Sequence, residues 1–417
     1  MSLTDTIIIG AGPYGLSLAA HLKAAGVAHQ ILGEPMGAWR HYMPPGMLLR
    51  SEAFASSLQA PRAGFTLEDY CRLKGLPYRP LGMALPLETF VQYGLWFQAN
   101  LVGETQTADV LSLRRVGDEF QLSLSDGRTL AARKVVIALG LKGFAQTPPA
   151  LQGLPARYAS HSERYGNLDW ARGMDIAIVG GGQSALGLSA LLNELGARAH
   201  VLMRESHVIW HERPQGGRRL LSRIKTPDAG LGRGWRSLFL SECPGLFHML
   251  DPARRRQIMD HSYGASGAWW LRDRVLGKVQ LSHRTELRGA AIENERVVLR
   301  VLSDGKEASV SADHVIAATG FRTDMRQHAF LSKELADAIS NQGGMPDLSA
   351  HYETRVSGLY VIGPASAHSF GPVMRFVYGT KHASPTVARH LTGSLKAGTR
   401  QRAWPAAHAP LPERSGE

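Results

Sequence analysis

Apolar residues gather into two short unbroken runs, Thr6 to Ile9 and Ile176 to Val179, and each run stops at a glycine. A continuous run of this length predicts a strand buried on both faces of a parallel sheet. Behind each run lies a helical pattern, Leu16 to Ala25 and Leu186 to Leu195. The residues in between are Gly10-Ala11-Gly12-Pro13-Tyr14-Gly15 and Gly180-Gly181-Gly182-Gln183-Ser184-Ala185, 170 positions apart. Strand, glycine turn and helix start together make an anion cradle. The first glycine allows the turn, the second admits a pyrophosphate against the backbone, and the third lets helix and strand pack closely. One such motif is of low specificity. Two of them in strand–turn–helix context predict two dinucleotide sites.

The pattern after each cradle switches to alternation. Val110 to Arg115 and Phe120 to Ser125 precede a turn at Asp126-Gly127, and the stretch from Thr129 ends in the apolar run Lys134 to Gly140. Leu287 to Glu293 and Arg296 to Leu302 precede a turn at Asp304-Gly305, and the stretch from Ala308 ends in Asp313 to Gly320. Cradle, β-meander and apolar strand ending in glycine thus recur in one order, which predicts an internal duplication. The fold class expected is α/β, with two Rossmann-like dinucleotide-binding domains, each carrying a β-meander and a three-layer doubly wound sheet. Leu359 to Gly363 reads as a returning strand. Pro372 to Leu391 reads as a helix with Pro372 near its start.

In a Rossmann unit the residue closing the second strand faces the adenosine ribose. In the first unit, Gln30 to Gly33 is followed by Glu34, whose carboxylate suits ribose hydroxyls and repels a 2′-phosphate. That favours FAD, or NAD. In the second unit, His200 to Met203 is followed by Arg204, whose guanidinium suits a 2′-phosphate. That favours NADPH over NADH, although Glu205 stands beside it and the alternative reading of Arg204 is a surface arginine. The expected division is residues 1–165 as the first part of the FAD domain, 166–312 as the NADPH domain with an insertion at 206–275, 313–395 as the second part of the FAD domain, and 396–417 as a loose tail.

Composition narrows the function classes. Charged residues are 20% and hydrophobic ones 44% of 417, ordinary for a globular protein large enough for two or three cores. The 47 Lys+Arg against 35 Asp+Glu give +12. No compact basic run interleaves with aromatics, so the field is read as attracting small anions rather than nucleic acid. Part of the excess lies in the 206–275 insertion, with Arg213, Arg218, Arg219, Arg223, Arg233, Arg236, Arg254, Arg255 and Arg256 beside Trp235, Trp269 and Trp270. This stretch is either a wall over a site for an anionic substrate or a solvated surface around a local core. The two cysteines, Cys71 and Cys243, make neither a CxxC pair nor a zinc set, and no metal is expected. The N-terminal apolar run lacks a basic leader and continues into the first cradle, and no 18-residue apolar run exists. No membrane span is expected, and the default compartment is the cytoplasm.

The chain resembles the two-dinucleotide flavin-dependent monooxygenases of class B type, close to the N-hydroxylating enzymes. The resemblance is carried by Gly10 to Gly15 with Pro13, by Gly37-Ala38-Trp39-Arg40 running through Pro45-Gly46-Met47-Leu48-Leu49 to Ser51, by Phe65 to Tyr70, by His161-Ser162-Glu163-Arg164-Tyr165, by Val179 to Ala185, and by Ala318-Thr319-Gly320-Phe321. It departs from the Baeyer–Villiger fingerprint at Arg157, and Pro364 follows Gly363 where many flavoproteins have an Asp. Pro45 to Ser51, Ala318 to Phe321 and Ser369-Phe370-Gly371-Pro372 also resemble a bacterial subgroup to which some FAD-dependent urate hydroxylases are similar.

The resemblance implies an FAD- and NAD(P)H-dependent monooxygenase, inserting one oxygen atom from O2 into a small polar substrate through a C4a-(hydro)peroxyflavin. Urate is the specific substrate it points to, with an amine or amino-acid N-hydroxylase, or a flavin reductase that does not use oxygen, as alternatives. The cofactors expected are FAD, with NADPH or NADH as co-substrate. The FAD residues expected are Gly10, Gly12, Pro13, Tyr14, Gly15, Glu34, Trp39, Arg40, Ser51, Val110, Gly320 and Gly363. The NADPH residues expected are Gly180, Gly182, Gln183, Ser184 and Arg204. Candidate catalytic residues are Arg40, Ser51, His161 and Arg375. His161 reads equally as a linker histidine satisfied by backbone, and the default reading of Arg375 is a solvated helix arginine. The partners expected are a small molecule and O2.

Overall fold

A computed structural model describes residues 3–163, 165–214, 220–262, 266–341 and 343–402. Arg218, Arg219 and the 403–417 part of the expected tail lie outside the described residues, and so does the Arg223 side chain. In chain order the principal elements are β1 (Leu3–Ile9), α1 (Pro13–Ala24), β2 (His29–Leu32), α2 (Leu67–Lys74), α3 (Leu87–Phe97), β3 (Val110–Val116), β4 (Glu119–Leu124), β5 (Thr129–Ile137), β6 (Ala159–His161), β7 (Asp175–Val179), α4 (Gln183–Glu194) and β8 (Arg198–Leu202). Then come α5 (Trp235–Glu242), α6 (Pro244–His248), α7 (Pro252–Asp260), β9 (Gln280–Ser282), β10 (Thr285–Glu293), β11 (Arg296–Ser303), β12 (Lys306–Ala312), β13 (His314–Ala317), β14 (Leu359–Val361) and α8 (Thr380–Arg402).

Two sheets organise the chain. The first runs β2-β1-β5-β4-β3, with β14 also pairing with β5. Its β2, β1, β5 and β14 are parallel, with Ile7 opposite Gln30 and Val135, and Tyr360 opposite Val136. The second runs β9-β8-β7-β13-β6, parallel throughout. Both predicted strand–turn–helix units and both meanders are present. The meanders attach differently. In the first half β5 is long enough to close the meander with β4 and then run parallel to β1. In the second half β10-β11-β12 form a separate sheet, and the chain breaks at Asp313. The Asp313 carboxylate there accepts from Asp175 N and pairs with Arg296.

Four expectations are corrected. Strand β6 pairs with β13, and Leu151 and Tyr158 share a core with β7 and β13. The second body therefore starts before 165. It also keeps β13 (His314–Ala317), so the return to the first sheet comes after Gly320, not at 313. The helix expected from Pro372 begins at Thr380. Pro372–Arg375 and Val377–Gly379 are 3-10 turns, and the helix continues through 396–402, which were expected to be loose.

The middle of the insertion docks on the first body, while its ends, with Val208 and Leu271, stay in the core of the second. Leu240, Phe247 and Met259, from α5, α6 and α7, belong to the same core as Ile7, Val136 and Val361. Across this face Lys381 pairs with Glu242 at 2.7 Å, and His248 stacks on Phe370 at 4.8 Å.

Candidate functional site

Both cradles are built as the glycines dictate. Gly10 has φ +113, and a Cβ there would lie 2.5 Å from the Ala138 carbonyl oxygen. A Cβ on Gly15 would overlap the Gly10 carbonyl oxygen at 1.8 Å. Gly180, with φ +137, would meet the Ala318 carbonyl oxygen at 2.4 Å. By contrast nothing lies within 4 Å of a Cβ built on Gly12 or Gly182. Those two glycines are the N-caps of α1 and α4. Neither helix has a side-chain cap or an acidic residue in its first turn. Each therefore presents uncapped N–H groups and a positive helix end to open space, which fits a pyrophosphate in both places.

Around the first cradle, Pro13 opens α1 and Tyr14 is buried. The Tyr14 hydroxyl donates to the carbonyls of Met374 and Phe376, each at 2.9 Å, and its ring lies 3.4 Å from where a Cβ on Gly363 would be. Gly363 has φ +82 and accepts from the Ser366 hydroxyl at 2.7 Å. Glu34 follows Gly33 at the end of β2, where the ribose was expected. Its carboxylate is bound by Arg40 and, at 2.7 Å, by His41 Nε2. Arg40 thus stands beside Glu34 at the end of β2. Trp39 is half-buried, edge-on to Phe90 at 4.8 Å. Ser51 is half-buried just beyond the Leu48–Leu49 strand. Val110 opens β3, four residues after Gln106, whose carbonyl accepts from Gly33 N at 2.7 Å.

Around the second cradle, Ser184 and Arg204 are exposed. The Gln183 side-chain carbonyl accepts from Ala268 N at 2.9 Å, so this residue ties the helix start to the end of the insertion. Gly320 has φ +85, and its carbonyl accepts from His161 Nε2 at 3.1 Å. His161 Nδ1 accepts from Glu163 N at 3.1 Å. Both ring nitrogens are thus used by backbone, which fixes the neutral tautomer, and burial lowers the pKa.

The two bodies meet across a pinned junction. Tyr165 N donates to the Tyr42 carbonyl at 2.9 Å, and a Cβ on Gly166 would overlap the His41 carbonyl oxygen at 2.0 Å. Gly46 approaches Leu191 of α4. Arg50, missed in the sequence though it lies inside the Pro45–Ser51 motif, donates from Nη2 to Ser266 Oγ at 2.9 Å and lies 2.9 Å from His211 Nε2. Beside it Arg213 donates to the Gly82 carbonyl and lies over the Trp269 ring at 4.7 Å. Burial raises the Glu52 pKa, against Gly82 N and the nearby Arg233 and Arg213. Both cysteines are free. Among the described residues no group of three or more His, Cys, Asp or Glu side chains could hold a metal, and no helix is long and apolar enough to cross a membrane.

Residues 4–224, just over half of the chain, match the pyridine nucleotide-disulphide oxidoreductase family. The chain belongs to that family. Two curated relatives are the indole-3-pyruvate monooxygenase YUCCA1 of Oryza sativa subsp. japonica and an FAD-dependent urate hydroxylase of Xanthomonas campestris pv. campestris. The first is 27% identical over 216 residues, 49% of each chain. The second is 28% identical over 221 residues, 48% of this chain and 45% of that one. The chain spans about half the length of these relatives. Among solved structures, an ornithine N-hydroxylase of Kutzneria sp. 744, described with reduced FAD, NADP+ and L-ornithine, superposes with a TM-score of 0.74 at 17% identity, covering 94% of this chain and 100% of that one. That likeness shows the two-body fold. Within the pyridine nucleotide-disulphide oxidoreductase family this chain has no dithiol pair to receive electrons, since Cys71 is buried and Cys243 stands apart in sequence.

Proposed function

We propose that the chain is an FAD-dependent, NAD(P)H-dependent monooxygenase that transfers one oxygen atom of O2 to a small polar substrate, with the second atom leaving as water. The observation that carries this reading is the pair of uncapped, open helix starts at Gly12 and Gly182 in a chain without a dithiol, with the insertion tied to the first body through Arg50–Ser266 and to the second through Gln183–Ala268. The relatives named as monooxygenases and hydroxylases support the same class. When bound, FAD would take the hydride from NADPH and supply the oxygen chemistry.

The protein's own share is binding and placement. Gly10, Gly12 and Gly15 admit the FAD pyrophosphate, and Glu34 meets the ribose. Trp39, Ser51, Val110 and Gly363 line its path, with Tyr14 holding Gly363 in place. Gly180, Gly182, Ser184 and Arg204 take NADPH, and Arg204 favours the 2′-phosphate. The insertion walls the first cradle and keeps water out. Urate is the first substrate to try, given the Xanthomonas relative. The test is a screen of urate, basic amino acids, amines and thioethers for substrate-stimulated NADPH oxidation under isotopically labelled O2. A product carrying one labelled oxygen is expected. NADPH oxidation with no labelled product for any compound would replace this reading with a reductase.

A further inference from the structure

We infer that Arg284, in the turn between β9 and β10, is a second phosphate-binding residue at the outer end of the second cradle, and that it joins Arg204 in selecting a 2′-phosphorylated adenosine. Its role presupposes a dinucleotide at Gly180 to Ser184, as proposed above, and is independent of oxygen transfer.

The two turns that carry these arginines are one unit in space. Strands β8 and β9 pair in parallel as far as Leu202 opposite Ser282. Gly180, the first glycine of the cradle, donates from its N–H to the Leu202 carbonyl at 2.9 Å, so the end of β8 lies against the cradle itself. Beyond Leu202 three backbone bonds clip the chains together. Met203 N donates to the Ser282 carbonyl at 2.9 Å, Thr285 N to the Met203 carbonyl at 2.8 Å, and Arg284 N to the Glu205 carbonyl at 3.0 Å. Residues 282–285 therefore wrap the 203–205 turn, and Arg284 leaves the backbone beside the neighbour of Arg204. Its φ is +45, the left-handed region that residues with a Cβ seldom occupy. Strain of this kind persists where the surroundings over-determine it, and it collects at binding sites.

The charges around the turn define what Arg284 adds. Arg204 and Arg284 are exposed, and Glu205 is half-buried between them in the clip. Glu286, two positions on, pairs with Arg288 at 2.8 Å. His207 lies 3.0 Å from Ser206 Oγ through Nδ1. A 2′-phosphate brings about two negative charges at neutral pH. Glu205 offsets one guanidinium, so Arg204 alone gives a phosphate dianion no net attraction. Arg284 is the second guanidinium. Its partner is Asp304, with Nη1 3.4 Å from Oδ1 and the two side chains 66% and 65% exposed. One long contact between exposed groups contributes little. A phosphate takes two parallel N–H bonds from one guanidinium and displaces the carboxylate.

The experiment uses the flavin-loaded protein, titrated calorimetrically with adenosine 2′,5′-bisphosphate and with adenosine 5′-monophosphate, which lacks the 2′-phosphate. The bisphosphate should bind more tightly. Arg284→Gln should weaken it about tenfold and leave the monophosphate within about twofold. Asp304→Asn should keep or improve affinity for the bisphosphate, because it frees the guanidinium. Arg284→Gly, which relaxes the backbone, should hold or raise the melting temperature while losing the same affinity as Arg284→Gln. Equal binding of the two nucleotides by the parent, equal effects of Arg284→Gln on both, or a loss in Asp304→Asn like that in Arg284→Gln would each overturn the assignment. The last result would make the Arg284–Asp304 pair a mere brace. If neither nucleotide binds, the second cradle is not a dinucleotide site and Arg284 falls with it. If bisphosphate binding depends on Arg284 while no substrate is oxygenated, only the monooxygenase reading fails.

Discussion

Arg204 stands exposed one residue beyond Met203 at the carboxyl edge of the second sheet, where a 2′-phosphate would arrive. Arg204→Ala should raise the KM for NADPH several-fold and leave that for NADH within about twofold. Equal effects on both would remove this residue from cofactor choice. Arg50 belongs to a different problem, because it fixes one body against the other through Ser266 and His211. Arg50→Met should slow flavin reduction by NADPH about tenfold while flavin content is kept. Lysine should rescue only in part, since one ammonium cannot reproduce the guanidinium fork. A loss of flavin in Arg50→Met would mark a merely structural role. Arg50 could not be read from the chain because its partners lie 161 and 216 positions away. The place of Glu34 just past β2 was legible from the apolar run before it, whereas its pairing with Arg40 and His41 depends on the turn that begins at Met36, with φ 56.

At the level of elements, the strand–glycine–helix units and both meanders were legible because local chemistry specifies them. The two central residues of the Asp304-Gly305 turn both have positive φ, as a tight hairpin requires. The start of the last helix was not legible. Pro372 suits a first helical turn, but here it opens a 3-10 turn that Tyr14 pins through Met374 and Phe376, and that tertiary contact overrides the local preference. The Phe65–Tyr70 resemblance segment proves to contain a capping box, with Thr66 and Asp69 satisfying each other's backbone at the start of α2. The glycines separate folding from binding. Gly12→Val should leave the melting temperature within a few degrees and abolish flavin retention, because its Cβ enters open space where the pyrophosphate would lie. Gly15→Val should prevent folding, because its Cβ overlaps a carbonyl of the same turn. Circular dichroism and flavin absorbance on the two variants distinguish these outcomes.

Across the whole molecule, a set of buried histidines sets the acid limit. Burial, assisted by Lys142 at His328, Arg375 at His368 and Arg389 at His382, lowers all three to about 4. In the unfolded chain the same groups titrate near about 6.5. Above that pH they are neutral in both states and add no pH dependence. As pH falls from about 6.5 to about 4, the unfolded chain takes up protons that the native state refuses, so stability should drop across this window. Melting temperature followed against pH should show the slope, and His382→Gln, which removes one titrating group beside Tyr352, should flatten it. A flat profile down to pH 4 would contradict the burial argument. Domain order was only partly legible at this scale. Strands β6 and β13 cross into the second sheet at places where the hydrophobic pattern is the same as in the first, and pairing partners, not periodicity, decide which sheet a strand joins.

The hook made by Tyr14 on Met374 and Phe376 joins positions 360 and 362 residues apart. During synthesis the opening strand and helix leave the ribosome long before the segment they must grip exists. The front pocket can be closed only when translation is almost finished. A nascent chain arrested after Gly320 should thus hold no yellow chromophore, however well its first helix has formed.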